Sequence, residues 1–450
     1  MIPSKRTEAA RKAVHVLSGL FALLLRYFTW IPALGLALGA LFFNWMILPR
    51  MSGGALNRPA DRERGYALGI LLYPLSVSIL ILLFRTRLDI AAAAWGLMAF
   101  GDGGATLAGT FIGGPRLPWN RSKSWSGFAA FLGAGTLAAA GLQIWVAGGH
   151  PETPIPGVSI WILAFAAAAL GAFIESLPTG IDDNLTVPLL AGGCLFALWA
   201  IEPASFGAAD PPLMRQLLVG AVVNLIVAGA AWLAGTVQPS GAVAGYLLGT
   251  AIYAFSGWRG YLILAIFFVL ASGSTKVGYE QKAARRIAQE AGGRRGARHA
   301  IANVGLAAFL ALLAAGTIHG TAMLIAFTAA LATAVFDTVS TEIGQVYGKH
   351  PVLITTLRLV PPGTDGAVSL EGTAAGLLAG AILCAVAWGT GMIPLAGAAV
   401  AVAASFIGTT AESYIGATVE AMKLVDNEAV NFANTLVGAL SALALWHFVG

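Results

Sequence analysis

Residues 99–127 read AFGDGGATLAGTFIGGPRLPWNRSKSWSG. The first half is apolar enough to sit in lipid, yet it carries Asp102. It then breaks into a Gly/Pro-rich segment holding Arg116, Arg121 and Lys123. An ionised acid at the bilayer centre costs about 2.5–3.5 kcal/mol on insertion scales, so Asp102 must be paired, lie near the interface or do chemistry. Residues 334–344, AVFDTVSTEIG, repeat the pattern: Asp102, Thr106 and Gly109 match Asp337, Thr341 and Gly344 as D-x3-T-x2-G. On a helix those positions share one face.

The surrounding composition fits a membrane protein. Of 450 residues, 58% are hydrophobic and 10% charged, and the mean hydropathy is +0.79. These values exclude an ordinary soluble domain and predict an all-α, polytopic integral membrane protein. A net charge of +5 is too thin for nucleic acid. Cys194 and Cys384 lie in apolar segments, so neither a disulfide framework nor a metal motif is read. The dozen polar residues before the first apolar run suggest no cleavable leader.

Apolar runs near 14–30, 31–48, 66–84, 89–112, 125–147, 158–176 and 185–201 form a first block. Runs near 213–234, 240–256, 260–275, 299–316, 319–343, 370–389, 392–410 and 430–449 form a second, giving about fifteen helices. With the N-terminus in the cytoplasm, 21 of the 26 Lys and Arg fall in inner loops, the exceptions being Arg26, Arg85, Arg87, Arg215 and Arg259. That asymmetry sets the orientation and places every acidic corner on the cytoplasmic face. The linker EPASFGAADPP (202–212) suggests domains of 1–205 and 206–450.

The blocks repeat in order. Glu175-Ser176 and Glu412-Ser413 end later apolar runs, and Asp183-Asn184 and Asp426-Asn427 precede the next; neither dipeptide occurs elsewhere in the chain. A tandem duplication follows. Acids beside glycine-rich, basic loops suit a magnesium-bound polyphosphate, since magnesium takes one or two carboxylates plus phosphate oxygens and turn N–H groups cradle anions. Neither loop is a Walker A motif.

In the first block, Asp102, Glu175 and Asp183 are the expected metal-binding or proton-accepting acids. Arg121 and Lys123 would grip the triphosphate, with Ser124, Ser126 and Asn184 nearby. In the second, the acids are Asp337, Glu342, Glu412 and Asp426. Lys276, Lys282 and Arg298 would supply charge there, with Asn303, Gly363, Asp365, Ser369, Asn427 and Asn431 around the phosphates. Asp102, Asp183, Asp337 and Asp426 are the expected magnesium ligands. Lys276 and Lys282 stand out in the loop 276–298 because they lie closest to a helix end; its arginines read chiefly as orientation determinants. His15, following Arg11-Lys12, reads as a phosphate contact or, in preference, a plain interfacial histidine, and His299 is left unassigned.

The first block, with RKAVHVLSG, GDGGATLAGTFIGG, KSWSG and ESLPTGIDDNLTVPL, resembles the CTP-dependent polyprenol kinases, the phytol and dolichol kinases. The second, with GAVAGYLLGT, DTVSTEIG, GTDGAVSLEGTAAG, ESYIGATVE and DNEAVNFANTLVGA, resembles the phytyl-phosphate kinase family that includes the transmembrane protein 19 group. Phe336, Val339 and Glu412 depart from that family's A-D-T-W-A-S-E and D-S patterns. The resemblance implies a bifunctional enzyme of the vitamin E (tocopherol) pathway in a bacterial cytoplasmic membrane. It would convert phytol or a similar prenol to the monophosphate and then to the diphosphate, using CTP and magnesium. Two rival readings are a CDP-diacylglycerol-type cytidylyltransferase, which needs the same triphosphate grip, and a secondary transporter with repeated bundles.

Overall fold

The computed structural model describes residues 5–52, 68–154, 156, 158–178, 181–207, 211–289, 293–420 and 425–450, with side chains from Lys12 onward except Ser52. Parts of four stretches singled out above lie outside these residues: 179–180 of ESLPTGIDDN, 208–210 of the linker, 290–292 of the basic loop and 421–424 before Asp426.

The chain divides into two compact units, 1–201 and 202–450. The first holds α1 (Lys5–Gly19, continued by a 3-10 turn Leu20–Arg26), α2 (Trp30–Phe42) and α3 (Leu68–Leu83). There follow α4 (Leu88–Gly96, a π turn Leu97–Gly101, then Asp102–Phe111), α5 (Trp125–Ala147), α6 (Ile160–Ser176) and α7 (Asp183–Trp199). The second unit holds α8 (Leu213–Leu233), α9 (Pro239–Lys276), α10 (Ala297–Gly316), α11 (Gly320–Tyr347), α12 (Leu370–Gly389), α13 (Leu395–Ile415) and α14 (Asn427–Val449). A small antiparallel hairpin, β1 (Val352–Leu353) with β2 (Ala367–Val368), interrupts the helices between α11 and α12.

The protein is thus a helical integral membrane protein, and among the described residues nine helices are long and apolar enough to cross a bilayer. Every apolar run of the sequence is covered wholly or largely by helix. The runs 240–256 and 260–275 form the single kinked α9, broken at Gly257 with φ 67°. Glycine adopts that left-handed geometry without a Cβ clash.

One four-helix arrangement occurs in each unit. In the first, α4 packs against α5, α6 and α7; in the second, α11 packs against α12, α13 and α14. Glycine brings the backbones together, as membrane helices need. In α12, Gly376 lies where a Cβ would stand 2.5 Å from the Phe336 carbonyl of α11. Replacing Gly376 with Ala should therefore cost about 1–3 kcal/mol of overpacking, read as a lower melting midpoint of the detergent-solubilised protein. An unchanged midpoint would contradict this packing.

Candidate functional site

In each unit an aspartate carried within a helix stands with a Glu-Ser helix end and an Asp-Asn helix start. Asp102 starts the second half of α4, directly after the π turn Leu97–Gly101; such bulges re-aim side chains and recur at functional positions. The glycines around it have a packing reason. A Cβ at Gly101 would strike Phe131, one at Gly103 would lie 2.4 Å from Val16, and one at Gly104 would press on Ala134. The GDGG run therefore lets α1 and α5 close around the aspartate.

Asp102 is only 6% exposed and is balanced by Lys12 of α1, whose ammonium lies 2.5 Å from Oδ2. His15, one turn further on, places Nε2 3.5 Å from the same oxygen and 2.9 Å from the Met98 carbonyl. Across the site, Lys123 pairs with Glu175 at the end of α6 and lies 3.7 Å from Asp183 at the start of α7. Lys123 and Asp102 are close enough for each to feel the other's charge. The basic loop is pinned over α6: Trp119 donates to Ser176 Oγ at 2.9 Å, and Asn120 donates to the Ser176 carbonyl at 3.0 Å.

Ser124 and Ser126 do not present free hydroxyls. Ser124 caps α5, accepting the Gly127 N–H at 3.2 Å, and its hydroxyl pairs with that of Ser126, which in turn donates to the Gly113 carbonyl. They shape the loop through these internal bonds. Arg121 is exposed, and Asn184 donates its amide to the Gly69 carbonyl at 3.2 Å.

The second unit repeats this construction. Ser369 caps α12 by accepting the Gly372 N–H, also at 3.2 Å. It sits where a Cβ at Gly344 would press upon it, just as Ser124 faces Gly109. The glycine of D-x3-T-x2-G is therefore the seat of the next helix's serine cap in both units.

Here Asp337, Glu342 and Glu412 line a cavity of about 330 Å³, and Asp426 does not. Asp337 and Glu412 meet within hydrogen-bonding range in its wall. Gly363, Asp365, Ser369, Asn427 and Asn431 also line it, and Asn431 donates to Asn427 Oδ1 at 3.2 Å. The cations differ from the expected set. Lys276 is exposed and outside the lining. Lys282, 1% exposed, is spent on the buried Glu342 and on the Thr275 carbonyl at 2.9 Å. Arg298 pairs with Asp426, which caps α14 and stays outside the cavity lining, while Asn303 donates to the His299 carbonyl at 3.0 Å. The cation at the cavity is Arg295, beside His299; its second guanidinium nitrogen donates to Thr275 Oγ1 at 3.0 Å. Sequence reasoning did not single out Lys12 or Arg295 and left His15 and His299 without a site role, although the one-turn spacing within each pair is a usable signal.

Residues 222–439 match DUF92, a family of integral membrane proteins. The chain is 39% identical to Protein VTE6, chloroplastic, of Arabidopsis thaliana over 232 residues, half of this chain and 70% of that one. It belongs to the DUF92 family. It is also 34% identical over 147 residues to a chloroplastic farnesol kinase of Arabidopsis thaliana, covering 32% of this chain and 47% of that one. To a probable phytol kinase 3 of Glycine max it is 35% identical over 124 residues, covering 27% and 38%. No solved structure matches the chain.

The donor set bears on magnesium. Among the described residues no group of three or more His, Cys, Asp or Glu side chains is arranged to hold a metal. Asp337 and Glu412 nevertheless face one another, and two carboxylates that close require a proton or a cation between them. Magnesium needs only one or two protein carboxylates when phosphates supply the rest. This pair fits that role better than Asp337 with Asp426. In the first unit Asp102 and Glu175 already hold lysines, leaving Asp183 as the least committed acid.

The loop residue Lys123 supplies a pH test. Burial works against its charge, but Glu175 and then Asp183 outweigh it and hold the ammonium above the ordinary lysine value. Its stabilising contribution is therefore full below the unfolded-state value and fades as pH rises through the higher folded one. Lys123→Gln should melt below the wild type at pH 7–9, and the two midpoints should converge in strong alkali. A gap that persists there would contradict the pairing.

Proposed function

We propose that the chain is a bifunctional prenol kinase in which each unit carries one phosphoryl-transfer site facing the cytoplasm. The observation that carries this reading is the twofold construction. In each unit a helix-borne aspartate, a serine-capped loop, a Glu-Ser helix end and an Asp-Asn helix start gather at one end of four helices. The farnesol kinase and probable phytol kinase among its relatives support a lipid alcohol as substrate. In this reading the first unit is the polyprenol kinase part and the second the phytyl-phosphate kinase part, of the transmembrane protein 19 kind.

In the first unit the prenol oxygen attacks the γ-phosphorus of CTP. The bond to the β-phosphate oxygen breaks, CDP leaves, and the hydroxyl proton passes to the Asp102/Asp183 carboxylates. Lys123, anchored by Glu175, faces the phosphates. In the second unit a phosphate oxygen of the prenyl monophosphate attacks a second CTP. No proton is released from an ionised monophosphate, so that site needs charge neutralisation more than a base. Bound magnesium would neutralise the triphosphate and draw charge from the transferring group. Asp337 and Glu412 would hold it in the second unit; in the first, Asp102 and Asp183 would do so, because Glu175, which matches Glu412, is held by Lys123. Arg295 would neutralise phosphate oxygens, and Asn427 and Asn431 would orient them.

Asp102→Asn should lower monophosphate formation by about 10²–10⁴-fold while sparing conversion of supplied phytyl phosphate to the diphosphate. Asp337→Asn should do the reverse, both followed by mass spectrometry of products from phytol and CTP. Equal loss of both steps in either variant would overturn the two-site reading.

A further inference from the structure

The cavity of the second unit is lined mainly by polar side chains, with Phe336 and Phe406 as its two phenyl rings. Along α13, Phe406, Thr409, Thr410 and Ser413 line it at three- and four-residue spacing, so they form one stripe on one helix face. Seven residues separate Phe406 from Ser413, about 10 Å of helix rise. At the far end of the stripe Phe406 and the buried Phe336 stand with ring centroids 6.1 Å apart.

Phe406 both lines the cavity and is 47% exposed. It does so on a helix apolar enough to cross the membrane, next to the exposed Ile407. Phe406 thus stands where the cavity lining meets the exposed flank of α13. At the other end stand Arg295 and the serine-capped start of α12, groups that complement an anion. A volume of about 330 Å³ lies at the small end of the range for ligand sites. It cannot enclose a nucleotide, a phosphate head and a long hydrocarbon chain together.

We infer that α13 carries a lateral entry for the lipid substrate. The prenyl chain lies in the membrane beside Phe406, and its monophosphate head passes along the Phe406–Ser413 stripe to Asp337 and Glu412. This rests on the kinase reading for the identity of the substrate but on the cavity alone for the path. Phe406 is then a specificity-determining residue. It touches the chain near its head, so its size affects long branched chains and leaves a short chain nearly indifferent.

The test combines kinetics with capture. Phe406→Trp should raise the KM for phytyl monophosphate about tenfold, the scale on which an apolar contact discriminates, and change that for a five-carbon prenyl monophosphate less than twofold. Equal changes for both chains, or none, would overturn the entry. Independently of turnover, p-benzoylphenylalanine at position 406 should crosslink to radiolabelled geranylgeranyl monophosphate in proteoliposomes without nucleotide. The same group at Leu378, a 64% exposed residue of α12, should label at the background of bulk lipid. Equal labelling at the two positions would exclude the entry even if the kinase activity stands. Specific labelling without turnover would sink the kinase reading and leave the entry intact.

Discussion

The whole arrangement depends on matching buried carboxylates with positive charge at the ends of apolar helices. Asp102, Glu175 and Glu342 are nearly inaccessible. An isolated charge in such a place costs several kcal/mol, and removing one member of a buried pair is more damaging than never having the pair. Lys12, Lys123 and Lys282 supply the match. Because Lys12 and Asp102 stand 90 residues apart and Lys282 and Glu342 stand 60 apart, each pair also ties distant segments of its unit together. The exception is informative: Asp337 and Glu412 face each other and share a cavity wall with Arg295. That is the place left for an outside charge.

Glycine makes these pairings possible. The residues flanking Asp102 admit Val16 and Phe131 at distances no side chain would allow, and Gly344 and Gly372 admit the Ser369 cap. Helix crossing and helix capping are one geometric problem, and the seat of the serine cap on a glycine is alike in both units. A duplicated ancestral bundle accounts for that economically: the serine caps, glycine seats and Glu-Ser ends agree in detail that composition alone would not enforce.

Much of this was legible in the chain. Hydropathy located the helices because a bilayer admits few alternatives to them. The D-x3-T-x2-G, Glu-Ser and Asp-Asn repeats pointed to the acids because rare dipeptides in matching order survive divergence. What sequence could not reveal was which cation meets which acid. Lys12, His15 and Arg295 look like ordinary loop-edge residues until folding brings them across the unit. Lys282 looks available until Glu342 is seen to hold it, and Lys276, the last residue of α9, is exposed. The serine hydroxyls of KSWSG resemble phosphate donors, and in the fold Ser124 caps a helix start, as short polar side chains tend to do, while Ser126 bonds to the Gly113 carbonyl. The π turn before Asp102 has no sequence signature at all.

The most direct test follows the label of CTP carrying radioactive phosphorus at the γ-position, given with unlabelled phytol to the purified protein in proteoliposomes. The account predicts label appearing first in phytyl monophosphate and then at both phosphates of the diphosphate, with CDP the only nucleotide product. Label released as inorganic diphosphate, with a cytidine-bearing lipid formed, would contradict it.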